Sequence, residues 1–234
     1  MNSPIINNIP ASDTIRRRVE TLYKHLEIHF GPTGWWPADT PFEMAIGAIL
    51  TQNTAWSNVE KAIDNLKKSD CLTPTAIMAS TKEQLEELIH PSGFFRQKSE
   101  RLKRFCDYLI AKHGGDMARM ARIPLKRLRT ELLSINGIGP ETADDILLYA
   151  CEKPIFVVDA YTRRIFSRHS LVPADIDYDA LQHFFHQHLP PDIQHYKELH
   201  GLIVWTGKYY CSKQPKCDGC PLHTMLQKGE PVLE

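Results

Sequence analysis

Leu132-Leu133-Ser134-Ile135-Asn136-Gly137-Ile138-Gly139-Pro140-Glu141-Thr142-Ala143 sets two glycines, separated by one apolar residue, between two stretches of helical periodicity. Glycine tolerates positive φ and lets another backbone approach closely. Pro140 suits the first turn of a second helix, so the free amides of that turn and of the hairpin point outward as an anion site. Such a loop grips DNA phosphate without reading base sequence. A plain helical hairpin with a glycine turn is the other reading, and Gly-x-Gly-Pro alone leaves both open. Gly137, Ile138, Gly139 and Thr142 are the phosphate-binding candidates.

On either side of this hairpin the chain reads as helix. Asp13 is followed by Ile15, Val19, Leu22, Leu26 and Phe30 at three- and four-residue steps, which predicts a helix capped by Asp13 and ended by Gly31-Pro32. Further helices are expected over 41–50, 54–68, 81–89, 97–113, 124–133, 140–151, 160–169, 178–189 and 193–210. Period-two alternation is nearly absent, and Ile155-Phe156-Val157-Val158 is too short to build a sheet. The class is therefore all-α, with no repeat of fixed period. Proline-bounded loops near 33–37 and 151–154 are where one helical layer meets another.

Composition excludes several classes. With 42% hydrophobic and 24% charged residues, the 234-residue chain can bury a core and is not a disordered polymer. The first ten residues carry no basic n-region, and eighteen consecutive apolar residues occur nowhere, so no membrane partner and a cytoplasmic location are expected. Basic and acidic side chains balance at 28 each, so any DNA-binding face must come from local segregation. Arg16 to Arg18, the run Arg96, Lys98, Arg101, Lys103 and Arg104, then Lys126, Arg127 and Arg129, and finally Arg163, Arg164 and Arg168 are the candidates. Each is equally well a solvated helix face. Reduced cytosolic thiols argue against disulfides; Cys71, Cys106 and Cys151 read as small core residues, whereas Cys211, Cys217 and Cys220 crowd together.

Eighteen residues after Glu141, Val157-Val158-Asp159-Ala160-Tyr161-Thr162-Arg163 puts a carboxylate at the mouth of the next helix. Here the sequence resembles the endonuclease III superfamily, whose hairpin is followed by a catalytic aspartate at this spacing. Leu50-Thr51-Gln52-Asn53-Thr54 is similar to that family's segment whose glutamine fills the gap left by an extruded base. The resemblance runs from about Trp35 to Cys220, with four motifs in order. It implies two helical domains with a DNA groove between them: a six-helix domain over 38–151, and a discontinuous one made of 1–37 and 152–234. A monomer acting on double-stranded DNA that contains a damaged base is the expected form.

Glycosidic cleavage passes through an oxocarbenium-like sugar, so an anion that stabilises positive charge and orients water lowers the barrier. Asp159 is the candidate, with a plain helix N-cap as the alternative reading; the two roles are compatible. Glu141 stands where bifunctional relatives carry the Schiff-base lysine. A carboxylate forms no imine, so base loss without strand cleavage is expected. Glu141 also suits a helix's first turn without any chemistry. Gly34-Trp35-Trp36-Pro37 and Trp56 are similar to the 3-methyladenine DNA glycosylase III branch. Stacked tryptophans attract cationic alkylated purines, although buried core tryptophans are the competing account. A charged base leaves readily and needs no strong general acid.

Cys211-Ser-Lys-Gln-Pro-Lys-Cys217-Asp-Gly-Cys220-Pro-Leu resembles the iron–sulfur loop that follows the last helix in endonuclease III relatives. The fourth cysteine is missing, Leu226 occupies its neighbourhood, and the first spacing is one residue short. A [4Fe-4S] cluster completed by an external ligand, zinc held with His223 as a fourth ligand, and a metal-free remnant all remain open. The chemistry needs none of them. Two rival functions also stand: an endonuclease III-like glycosylase and lyase acting on oxidised pyrimidines or mismatched thymine and uracil, and a non-catalytic DNA-binding module with a metal loop.

Overall fold

The computed structural model describes residues 11–226 and 231, and among these there is helix and turn but no strand. They fall into two units: Trp36–Val157, and the chain up to Trp35 together with the chain from Val158 onward. The second division lies several residues beyond the 151/152 boundary read from sequence. Segment 152–157 stays with the first unit, where Lys153 N–H donates to Leu147 O at 2.9 Å.

In the Trp36–Val157 unit, α2 (Pro41–Thr51) is the centre. Its sequence Phe42-Glu43-Met44-Ala45-Ile46-Gly47-Ala48-Ile49-Leu50 is buried throughout, which a helix tolerates only when neighbours cover every face. Thr40 caps it, accepting from Glu43 N–H at 3.1 Å, and Pro41 occupies the first turn. Amphipathic α3 (Trp56–Lys68) and α6 (Phe95–His113) pack against it. Ile46, Ile49 and Leu50 are wholly buried, each worth about 2 kcal/mol of transfer free energy. Two short helices, α4 (Pro74–Ala79) and α5 (Lys82–Leu88), cover α6 behind a Thr73 cap and a Thr81–Gln84 capping box. After α7 (Met117–Ala121) come α8 (Leu125–Leu133) and α9 (Pro140–Asp145). The stretch expected as one helix over 140–151 widens at Ile146–Ala150 into a π turn closed by Cys151 N–H on Ile146 O at 3.0 Å.

The other unit contains α1 (Ala11–Phe30), α10 (Ala160–Arg168), α11 (Tyr178–His188) and α12 (Ile193–Tyr209). Val19, Leu22 and Leu26 of α1 and Leu199, Leu202 and Ile203 of α12 are buried in its core, where the two helices pack. Asp13 is not the cap of α1: the helix begins at Ala11, and Asp13 lies in its first turn, where a carboxylate favours the positive helix end. Gly207 lets α10 approach α12, because a side chain there would occupy the space of the Tyr161 ring. Arg18 reaches from α1 to the end of α10, donating to His169 O at 2.7 Å. No described helix is long and apolar enough to cross a membrane.

Candidate active site

The hairpin lies between α8 and α9. Arg129 fastens the two helices with a forked pair on Asp144, Nε to Oδ1 at 2.7 Å and Nη2 to Oδ2 at 3.0 Å, and Asp144 is wholly buried. The turn itself uses its residues differently. Gly137 has φ +95°, whereas Gly139 has an ordinary extended backbone and caps α9 without a side chain. A Cβ on Gly139 would meet nothing within 4 Å, so the space before α9 is open. Ile138 turns inward: it is buried, and its N–H donates to Ile135 O at 3.0 Å. Thr142 is buried too, and its hydroxyl oxygen accepts from Gln52 Nε2 at 2.8 Å. Of the four hairpin candidates, Gly137 and Gly139 are those not packed into the interior.

Gln52 follows the last turn of α2 and is wholly engaged. Besides Thr142, Nε2 donates to Gly137 O at 3.1 Å, and Oε1 accepts from Arg101 Nη1. In the same unit, the Trp36 and Trp56 rings meet edge to face with centroids 5.2 Å apart. Tyr149, in the π turn, adds a third ring 5.6 Å from Trp36. Gly47 of α2 makes room for the Trp36 indole, since a Cβ there would lie 3.3 Å from Nε1. Trp35 belongs to the other unit and packs on Gly201 of α12, while Pro37 is exposed. Glu141 is exposed in the first turn of α9.

Asp159 caps α10. Its Oδ1 accepts from both the N–H and the hydroxyl of Thr162, each at 2.7 Å. Oδ2 takes no part in the cap and lies 3.9 Å from Nε2 of His200 on α12. Burial holds the His200 imidazole below its ordinary pKa, against the pull of the Asp159 carboxylate. The arrangement fixes one carboxylate oxygen by helix-end donors and sets a neutral ring beside the other.

The cysteine loop lines a pocket with Arg168, Cys211, Cys217, Cys220 and Leu226 among its walls. Arg168, a candidate for the DNA face, is instead buried there, donating to Cys211 Sγ at 3.2 Å, Ser212 O at 2.6 Å and Lys213 O at 3.0 Å. His223 Nδ1 lies 2.9 Å from Cys217 O. Among the described residues no three His, Cys, Asp or Glu side chains converge as metal ligands. Cys211, Cys217, Cys220 and His223 all line this pocket, one cysteine short of the four thiolates that a [4Fe-4S] cluster commonly takes from protein. Cys71, Cys106 and Cys151 are buried and free, and burial pushes the last two thiols up to about 12.

Three features escape the sequence reading. Lys98 is not a surface cation: it is wholly buried, with Nζ donating to Leu50 O and Ser92 O at 2.7 Å each. Tyr149 joins the tryptophans from within the π turn, a widening that periodicity does not encode. Phe94 is 61% exposed at φ +45°, an aromatic held outward on strained backbone. Its Gly93-Phe94-Phe95 setting was the only available signal.

Residues 46–191 match the model of the HhH-GPD superfamily base excision DNA repair proteins. The chain is 47% identical over 203 residues to "Putative DNA repair glycosylase MJ1434" of Methanocaldococcus jannaschii, covering 86% of this chain and 92% of that protein. It is 32% identical to endonuclease III of Thermotoga maritima, covering 77% and 79%. The crystal structure of Helicobacter pylori 3-methyladenine DNA glycosylase bound to 1,N6-ethenoadenine superposes with a TM-score of 0.70 at 32% identity, covering 84% of this chain and 97% of that one. The hairpin, the capping aspartate and these likenesses agree: the chain belongs to the HhH-GPD superfamily of base excision repair proteins and is a DNA glycosylase.

Proposed function

We propose that this glycosylase is monofunctional and hydrolyses the N-glycosidic bond of an alkylated purine such as 3-methyladenine in double-stranded DNA. The observation that carries the reading is the pair Glu141 and Asp159: a carboxylate opens α9 where a lyase would need an amine, and a second caps α10 with Oδ2 outside the cap. Gly137 and Gly139 present backbone to a phosphate. Gln52 fills the place of the extruded nucleotide. Trp35, Trp36, Pro37 and Trp56 receive the base, and the T-shaped Trp36–Trp56 contact with Tyr149 beside it offers the π surface a cationic purine needs.

In the reaction the C1′–N bond breaks and its electron pair leaves with the base. A base that carries positive charge departs neutral, so no acid is required. Asp159 stabilises the oxocarbenium-like sugar and orients the water that adds to C1′, whose proton passes to the carboxylate and then to solvent. Glu141 adds Coulomb attraction for a cationic base. No step passes through a metal.

The test is a panel of duplexes carrying 3-methyladenine, an oxidised pyrimidine, or mismatched thymine or uracil, incubated in the presence of a chelator. Free 3-methyladenine with an intact abasic strand is expected. Release from an oxidised pyrimidine with enzyme-dependent strand scission would establish the endonuclease III-like activity instead. DNA binding without release from any duplex would establish a non-catalytic module.

A further inference from the structure

Helix α6 lays three basic side chains along one face at three-residue spacing, and each ends on a different part of the site. Lys98 holds Leu50 O, at the end of α2, and Ser92 O. Arg101 reaches Gln52 Oε1. Arg104 donates to Asn136 O at 3.3 Å and Asn136 Oδ1 at 3.1 Å, at the start of the glycine turn. The Arg101 stem also lies on Gly137: a Cβ there would come within 2.5 Å of its Cγ and 2.8 Å of its Nε. The absence of a side chain on Gly137 is therefore what lets the guanidinium pass over the hairpin to the glutamine.

We propose that Arg101 is a positioning residue for base extrusion: with Gly137 O and Thr142 Oγ1 it fixes the Gln52 carboxamide against the hairpin, so that the glutamine enters the duplex in register with the clamped phosphate. Each end of the amide has a partner of the right polarity, Arg101 on the oxygen and the two acceptors on the nitrogen. A glutamine otherwise samples several rotamers, and ordering it before DNA arrives removes that cost from the extrusion step. The guanidinium is suited to this because its planar fork holds direction where an ammonium would not. The inference rests on the glycosylase reading above and on the role given there to Gln52.

The experiment compares wild type, Arg101→Met, Arg101→Lys, Gln52→Ala and the Arg101→Met/Gln52→Ala double variant. The probe is a duplex with 2-aminopurine beside 3-methyladenine, read by fluorescence for extrusion and by single-turnover base release at saturating enzyme; anisotropy on undamaged duplex gives affinity. Both Arg101 variants should bind undamaged duplex within about threefold of wild type. Both should lose about tenfold in base release and show a smaller fluorescence rise, and Arg101→Met should add nothing in the Gln52→Ala background. If Arg101→Met fails to fold, Arg101→Lys carries the comparison. Wild-type release at saturation with weaker, less salt-dependent binding would make Arg101 a phosphate contact only and overturn the proposal. Effects of Arg101→Met and Gln52→Ala that multiply would overturn it as well. Wild type that releases no 3-methyladenine refutes the alkylated-purine reading and this inference with it; wild-type release with independent single effects refutes the inference alone.

Discussion

Gly137 and Gly139 look equivalent in the sequence and are not equivalent in the fold. Gly137 needs its positive φ and an empty Cβ position beneath Arg101; Gly139 has ordinary backbone and open space around it. Gly137→Ala should therefore destabilise the protein by about 1–2 kcal/mol, through backbone strain and displacement of Arg101. Gly139→Ala should change the melting temperature little and weaken DNA binding, because its methyl group would meet no protein atom within 4 Å and would stand where the proposed phosphate contact lies. Thermal melts and anisotropy titrations of the two variants separate these outcomes; a Gly139→Ala protein with wild-type affinity would remove the hairpin from the DNA contact. The motif itself was legible, as composition and spacing suffice to place a glycine turn before a proline-started helix. What each residue does there was not, because Ile138 and Thr142 turn into the interior and only the fold determines which way a turn residue points.

Among the elements, long amphipathic helices were read correctly in kind, with ends off by one to three residues. The short helices α4 and α7 were missed because five or six residues hold too little periodicity to register. The π turn at Ile146–Ala150 was missed for a different reason: its sequence, Ile-Leu-Leu-Tyr-Ala, is ordinary helix material and carries no mark of a wider turn. Helix α6 is the instructive case. Its charges suggested a solvated or DNA-facing stripe, yet Lys98 is a buried cation at the carbonyl end of α2, where backbone oxygens and the helix dipole favour it. Burial, with the Arg101 charge adding to it, brings this ammonium down to about 8 from 10.5. An amine whose folded pKa is depressed destabilises the fold while charged, at pH below about 8, and that penalty fades as pH rises toward the unfolded value near 10.5. Wild type should therefore gain about 2–3 kcal/mol relative to Lys98→Met between pH 7.5 and pH 10 in chemical denaturation. A gap that stays constant would mean that Lys98 keeps an ordinary pKa.

Taken as a whole, the molecule divides its tasks between two units. The Trp36–Val157 unit carries the hairpin, Gln52 and the Trp36, Trp56 and Tyr149 rings; the other carries Asp159, His200 and the cysteine loop. The helical class and the order of motifs could be read from the chain because each depends on short-range spacing. The cysteine loop was legible in its spacing but not in its contents: three thiols do not say what completes the set, and only the fold shows that Arg168 holds the loop from within. The proposed chemistry rests on one carboxylate, and Asp159→Asn isolates it. Asparagine caps a helix as well as aspartate does, so α10 and the fold should survive the exchange. The decisive comparison is single-turnover release of 3-methyladenine from duplex DNA by wild type and Asp159→Asn at saturating enzyme. Release slowed by at least about a hundredfold, with affinity for undamaged duplex retained, is the expected result; an asparagine variant that frees the base at the wild-type rate would contradict the assignment.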